Sequence, residues 1–215
     1  MDWYVVDKKY INYLTQFDSH VGYVEYGERL KLHVGILLTI GDFHYYVPIS
    51  SAKPKHQKMS NSLDFHKLQD ESTGYLYAVL NINNMIPVPD NCLTQLKYNQ
   101  VESFRSFSNE KEKTDYVYLL QKEKALIDNV QDTLQNKALK LYQKCIAKPD
   151  SSLAARCCNF KMLEKNAVLI PIHKQNHDHS NLSVVILVLF FLLPFLNLTI
   201  VIFQVNIFFL KLTTT

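Results

Sequence analysis

The chain has 215 residues, with 23 basic side chains against 20 acidic ones and a formal charge of +3. That length buries one sizeable core rather than two full domains. The near-balance of charge excludes any nucleic-acid role inferred from bulk charge, so a basic surface has to be local, and Lys53–Lys58 is the place for it. The four cysteines, Cys92, Cys145, Cys157 and Cys158, form no C-x-x-C pair. Neither a disulfide framework nor a zinc site is expected from them. Met1-Asp2-Trp3-Tyr4 opens in strand-like sequence with no leader pattern, and a reducing cytoplasm is the expected setting of the folded part.

Trp3-Tyr4-Val5-Val6 reads as a strand, and Asp7 as the cap of a helix whose Tyr10, Ile11, Leu14 and Phe17 make one apolar stripe. Ser19 to Glu28 is polar and loop-like. Residues 33–49 read as a β-hairpin, two apolar and aromatic runs joined at Gly41-Asp42. A loop of Lys, Ser, Asn and His follows to about Ser62. Tyr75 to Ile82 is a further strand, and the prolines of Met85–Pro89 mark an edge or strand end. From Lys113 to Lys148 apolar residues recur at steps of three and four with no Gly or Pro, which predicts one helix. A small, partly helical unit from Ser151 to Glu164 closes the folded region. The fold class is α+β: a twisted antiparallel sheet with packed helices.

Composition changes sharply after that. Residues 1–165 form the expected folded domain, 166–181 a polar linker, and 182–210 a hydrophobic tail without a single charged side chain. Val184–Ile202 meets the requirement of about 20 apolar residues for crossing a bilayer. Lys174 before it favours a cytoplasmic N-terminal domain, anchored by the tail. A buried helix, hydrophobic strands, or a translated extension without function are the other readings. His173, His177 and His179 have ligand-like spacing, but they read as solvated linker rather than a metal site.

Nucleotide cradles and the H-E-x-x-H zinc motif are absent. What remains is Ser50-Ser51-Ala52-Lys53-Pro54-Lys55-His56, a corner at the end of the hairpin with no acidic residue from Phe43 to Leu63. RNA carries its own nucleophile, the 2′-hydroxyl. A ribonuclease therefore needs only a base, an acid and donors for the phosphate oxygens, and no metal or cofactor. Lys31, Ser50, Ser51, Lys53 and His56 are suitable types, with Tyr26 as a hydroxyl or stacking ring, and Lys55 and Lys58 as phosphate contacts. The same residues also read as a turn cap flanked by solvated charges.

The arrangement resembles the ToxN/AbiQ family, the endoribonuclease toxins of type III toxin–antitoxin systems. The resemblance rests on Lys31-Leu32-His33-Val34-Gly35-Ile36-Leu37-Leu38 and on Tyr45-Tyr46-Val47-Pro48-Ile49-Ser50-Ser51 with Lys53 and His56 after it. Phe65-His66-Lys67-Leu68, Ile82-Asn83-Asn84-Met85-Ile86-Pro87-Val88 and Cys158-Asn159-Phe160-Lys161-Met162-Leu163-Glu164 follow in the same order, nearly collinear over residues 2–165. It implies a fold similar to the Kid/MazF toxins and metal-independent cleavage leaving 2′,3′-cyclic phosphate and 5′-hydroxyl ends. It also implies inhibition by a small repeat RNA whose pseudoknots fill basic grooves, in a toxin–RNA ring, with a role in growth arrest and abortive phage infection. Lys31, Ser51 and Lys53 fall on the family's catalytic positions, with Ser50 adjacent. Tyr26 appears one residue out of step with Lys31. Family members usually stop soon after the Cys-Asn-Phe segment, whereas this chain runs on to Thr215. The alternative is a membrane-anchored RNA-binding or interaction protein that keeps the fold and has lost catalysis.

Overall fold

Asp7 ends the first strand and starts the first helix. Its carboxylate accepts from the backbone N–H groups of Lys9 at 2.6 Å and Tyr10 at 3.1 Å, satisfying two donors that a helix start leaves bare. The strand is β1 (Asp2–Val6) and the helix α1 (Lys8–Leu14), which buries Tyr10, Ile11 and Leu14. This is a computed structural model, and it describes residues 1–22, 25–26 and 29–169.

Next come the two-residue strands β2 (Glu25–Tyr26) and β3 (Arg29–Leu30), paired with each other. The hairpin follows as β4 (Leu32–Ile40) and β5 (Phe43–Ser51). Gly41 turns it with φ +55°, a left-handed angle that glycine adopts without a Cβ penalty. Past the hairpin lie α2 (Pro54–Gln57), β6 (His66–Gln69), β7 (Leu76–Leu80), β8 (Ile86–Pro87) and β9 (Leu93–Gln95). One antiparallel sheet results, in the order β6-β7-β5-β4-β1-β9, with β8 beside the start of β5. The nine-residue β5 is central. Its first half pairs with β8 and its last three residues with β7, so the strand that delivers the corner is held on both sides.

Helices α3 (Glu110–Asn129), α4 (Gln131–Ala147) and α5 (Phe160–Ala167) complete the domain. The helix expected as one piece from 113 to 148 is two, because Val130 sits at φ −117° and ψ 16°. No glycine or proline causes the break. α3 packs on β6 and β7 while α4 packs on β4 and α5, and a straight axis would not follow both. The β-branched Val130 is a poor helix former, which makes the bend cheap there. The short strands β6 and β9 are additions to the sequence reading.

Motif segments without chemical groups prove to be joints. Cys158 N–H donates to the Asn83 carbonyl at 2.8 Å, and the Asn83 amide returns a bond to the Arg156 carbonyl at 2.8 Å. Asn159 caps α5 by accepting from Met162 N–H at 3.1 Å. Inside α5, Glu164 is buried and accepts through one oxygen from the hydroxyls of Tyr45 (2.8 Å) and Tyr142 (2.7 Å), while Lys161 Nζ reaches its other oxygen at 2.8 Å. Tyr45 lies on β5 and Tyr142 on α4, so this knot ties both helices to the strand carrying the corner.

The described residues belong to one compact unit. Helix α5 itself carries on through Ala167, two residues past the expected boundary at 165. No helix among the described residues is long and apolar enough to cross a membrane. The expected span at 182–210 and the histidines at 173, 177 and 179 lie outside the described residues.

Candidate active site

Register brings the candidate groups together. His33 lies opposite Pro48 in the β4–β5 ladder, and continuing that register past the start of β4 brings Lys31 level with Ser50. Cross-strand partners share a face, and here they touch: Lys31 Nζ donates to Ser50 Oγ at 2.6 Å. On the other side of β5, Ser50 lies opposite Val79 and Ser51 opposite Ala78. Beyond the end of β7, the Asn81 side-chain amide also donates to Ser50 Oγ, at 3.1 Å. Ser51 is exposed at the strand end, and its neighbour Ser50 is half-buried.

The corner is braced from beneath. Pro54 opens α2 at a position where its missing N–H costs nothing. The Lys53 backbone N–H donates to Nδ1 of His56 at 3.1 Å, and His56 N–H returns a bond to the Lys53 carbonyl at 2.8 Å. The His56 ring is buried and tilts against Phe65 at 5.8 Å between centroids. Phe65, Leu76 and Val79 with Ala52 form a small apolar cluster of their own, which clamps the loop to β7. Burial, then the charges of Lys55 and Lys53, lower the affinity of His56 for a proton. Neutral His56 keeps Nδ1 as an acceptor, so its ring shapes the corner. Lys53, Lys55 and Lys58 are exposed around it.

Lys31 is the electrostatically unusual group. Burial, aided by the nearby Lys53 charge, lowers its pKa from 10.5 to about 8. His33 beside it is buried and held neutral: burial and then the Lys31 charge lower its pKa to about 3, while a hydrogen bond to the Lys31 backbone works the other way. A lysine that gives up its proton near neutral pH, touching a hydroxyl and next to a second lysine, is equipped to move a proton at a phosphate.

Of the residues singled out in the sequence, the structure joins Lys31 to Ser50 directly and puts Ser51 and Lys53 on the same corner. Tyr26 lies in the β2–β3 ribbon opposite Arg29, just before Lys31 in the chain. Asn81 was missed. It stands in what reads as the end of a strand, and no spacing or residue type distinguishes it there.

The fold and this corner have counterparts. The family of ToxN toxins of type III toxin–antitoxin systems matches residues 2–168. The chain belongs to this family. Among its relatives, endoribonuclease AbiQ of Lactococcus lactis subsp. lactis is 28% identical over 176 residues, covering 78% of this chain and 87% of AbiQ. Endoribonuclease ToxN of Bacillus thuringiensis subsp. kurstaki is 26% identical over 170 residues, covering 76% of this chain and 80% of that ToxN. A solved type III system, in which a non-coding RNA pseudoknot selectively inhibits the toxin, has a TM-score of 0.66 at 26% identity, over 78% of this chain and 95% of that one. The structure of AbiQ, a lactococcal anti-phage endoribonuclease, has a TM-score of 0.65 at 27% identity, over 78% of this chain and 96% of AbiQ. Both family motifs that read as chemistry, the Lys31 strand and the Ser50-Ser51 corner, fall inside the matched region.

Proposed function

We propose that this protein is an endoribonuclease toxin that cleaves RNA by metal-independent transesterification. The observation that carries the reading is the 2.6 Å contact between Lys31 Nζ and Ser50 Oγ at the Ser51–Lys53 corner, in a chain of the ToxN family. Lys31 is the base. With a pKa of about 8, roughly a tenth of it is neutral at pH 7, ready to accept the 2′-hydroxyl proton. The 2′-oxygen then bonds to phosphorus, the bond to the 5′-oxygen breaks, and the Lys53 ammonium gives that oxygen its proton. The products are a 2′,3′-cyclic phosphate and a 5′-hydroxyl, and the two lysines end with their protonation states exchanged.

Ser50, on the Lys31 side of the strand, donates to one non-bridging phosphate oxygen as charge builds on it, and Ser51, exposed at the strand end, reaches the phosphate from the other side. Lys55, Lys58 and the His56-braced loop bind flanking phosphates, and Tyr26 bears on the substrate from the neighbouring ribbon. The presence of the Lys31–Ser50 pair supports catalysis over a degenerate binding fold.

The same reading extends to biology. A small repeat RNA with pseudoknots inhibits the toxin in a toxin–RNA ring, and release of the toxin causes growth arrest or abortive phage infection. The sheet is akin to that of Kid/MazF toxins, and the 182–210 tail anchors an otherwise cytoplasmic enzyme to a membrane. Induced expression of the full chain tests the core of this. Growth arrest with new RNA 5′-hydroxyl ends is expected, and Lys31→Ala or Ser51→Ala should abolish both. Arrest that persists in those variants would refute the assignment.

A further inference from the structure

Tyr75 is 61% exposed, more than any other aromatic side chain among the described residues. It stands immediately before β7 on a backbone tied at both ends. Its N–H donates to Thr73 Oγ1 at 3.2 Å, and its carbonyl accepts from the Asp70 N–H at 3.0 Å. The ring is braced as well. It meets the half-buried Tyr77 edge to face, with centroids 4.6 Å apart and planes at 74°, a favoured aromatic geometry. Tyr77 in turn sits at the catalytic corner: its carbonyl accepts at 3.4 Å from the N–H of Ala52, the residue between Ser51 and Lys53. Tyr75 is two residues further out, about 7 Å along the extended chain.

We propose that Tyr75, oriented by Tyr77, is a stacking platform for an unpaired base of the RNA substrate, in the nucleotides flanking the cleaved phosphate. A fixed, exposed aromatic ring beside a basic corner is the combination that holds single-stranded RNA, with lysines on the phosphates and rings on the bases. Lys53, Lys55 and Lys58, all exposed, supply the charge at the corner. At the far end, the turn before Tyr75 carries Asp70 and Glu71. The Asp70 carboxylate folds back into the turn and accepts from the N–H groups of Ser72 at 2.8 Å and Thr73 at 3.1 Å, while Glu71 is exposed. These two charges repel phosphate from the outer side of the ring, so a base rather than the RNA backbone lies over it. A base stacked in this way must be unpaired, and the platform therefore selects single strands over duplex.

Taking the bound strand to be substrate rests on the ribonuclease reading, and the test keeps the two apart. The full-length protein is prepared as wild type, Tyr75→Ala and Tyr75→Phe, each also with Ser51→Ala so that bound RNA stays intact. Fluorescence anisotropy of a fluorescein-labelled single-stranded RNA of mixed sequence gives the affinity, with the same RNA annealed to its complement as the paired control. Steady-state cleavage of the single strand gives kcat and KM. Tyr75→Ala should weaken single-strand binding about tenfold, raise KM by a similar factor, and leave kcat and duplex binding unchanged. Tyr75→Phe should match wild type, because it keeps the ring. Wild-type affinity in Tyr75→Ala would overturn the proposal, as would an equal loss of duplex binding. So would a dimer that Tyr75→Ala splits with RNA affinity unchanged, which would give the ring to a second copy of the chain. A tenfold loss of single-strand binding in a protein that cleaves nothing would uphold the platform and bring down the ribonuclease reading.

Discussion

Replacing Glu164 with Ala removes the acceptor shared by Tyr45 and Tyr142. Tyr45 is 0% exposed and Tyr142 7%, so neither hydroxyl can turn to water. Each buried donor left unsatisfied costs about 1–3 kcal/mol. The Lys161 contact adds about 0–1 kcal/mol at most, since that side chain is 57% exposed. A loss of about 4 kcal/mol follows, or about 8–16 °C in Tm for a domain of this size. Glu164→Gln keeps one oxygen for both tyrosines but loses the charge and the acceptor for the exposed Lys161, at about 1 kcal/mol. Urea and thermal unfolding of the full-length chain measure both variants. Adding Tyr45→Phe to Glu164→Ala should restore part of the loss, because it removes one orphaned hydroxyl. If Glu164→Ala cost no more than Glu164→Gln, the knot would not hold α4 and α5 to β5 and the reasoning would fail.

A Cβ at Gly35 would lie 2.1 Å from Cδ1 and 2.4 Å from Cε1 of the buried Tyr46 ring. Gly35→Ala should therefore cost about 3 kcal/mol or prevent folding, seen as a lower Tm or loss of soluble protein. Lys31→Met should do the opposite to stability while abolishing cleavage. The folded state holds the Lys31 pKa near 8 against 10.5 for the free side chain, so below pH 8 folding carries the full penalty of a desolvated cation. Between pH 8 and 10.5 the unfolded chain binds the extra proton, and wild-type stability rises with pH. The variant should thus gain about 3 °C in Tm at pH 7, and the gain should shrink toward pH 10.5 in a series of melting curves.

Much of the fold could be read from local chemistry. The hairpin announced itself through Gly41-Asp42 between two apolar runs, and α1 through Asp7 ahead of Tyr10, Ile11 and Leu14. What escaped depends on contacts distant in sequence. Val130 bends the helix region only because α3 and α4 pack on different elements. Four-residue β6 and three-residue β9 are strands by virtue of their partners, β7 and β1. At the site, the sequence marked out the corner but could not tell which of two adjacent serines meets Lys31. Neighbours on a strand point to opposite faces, and only the register decides that Ser50 takes the lysine. His56, expected among the RNA contacts, has its Nδ1 committed to the Lys53 backbone. Asn81 carries no signature because its hydrogen bond to Ser50 exists only once β5 and β7 are side by side.

The most direct test is end-group analysis of a short RNA cleaved by the purified full-length protein in excess EDTA. A matched RNA with a single 2′-deoxy substitution at the cleaved position serves as the control. The account predicts 2′,3′-cyclic phosphate and 5′-hydroxyl ends without metal, and no cleavage of the substituted RNA. Cleavage that survives the 2′-deoxy substitution, or that leaves 5′-phosphates, would contradict it.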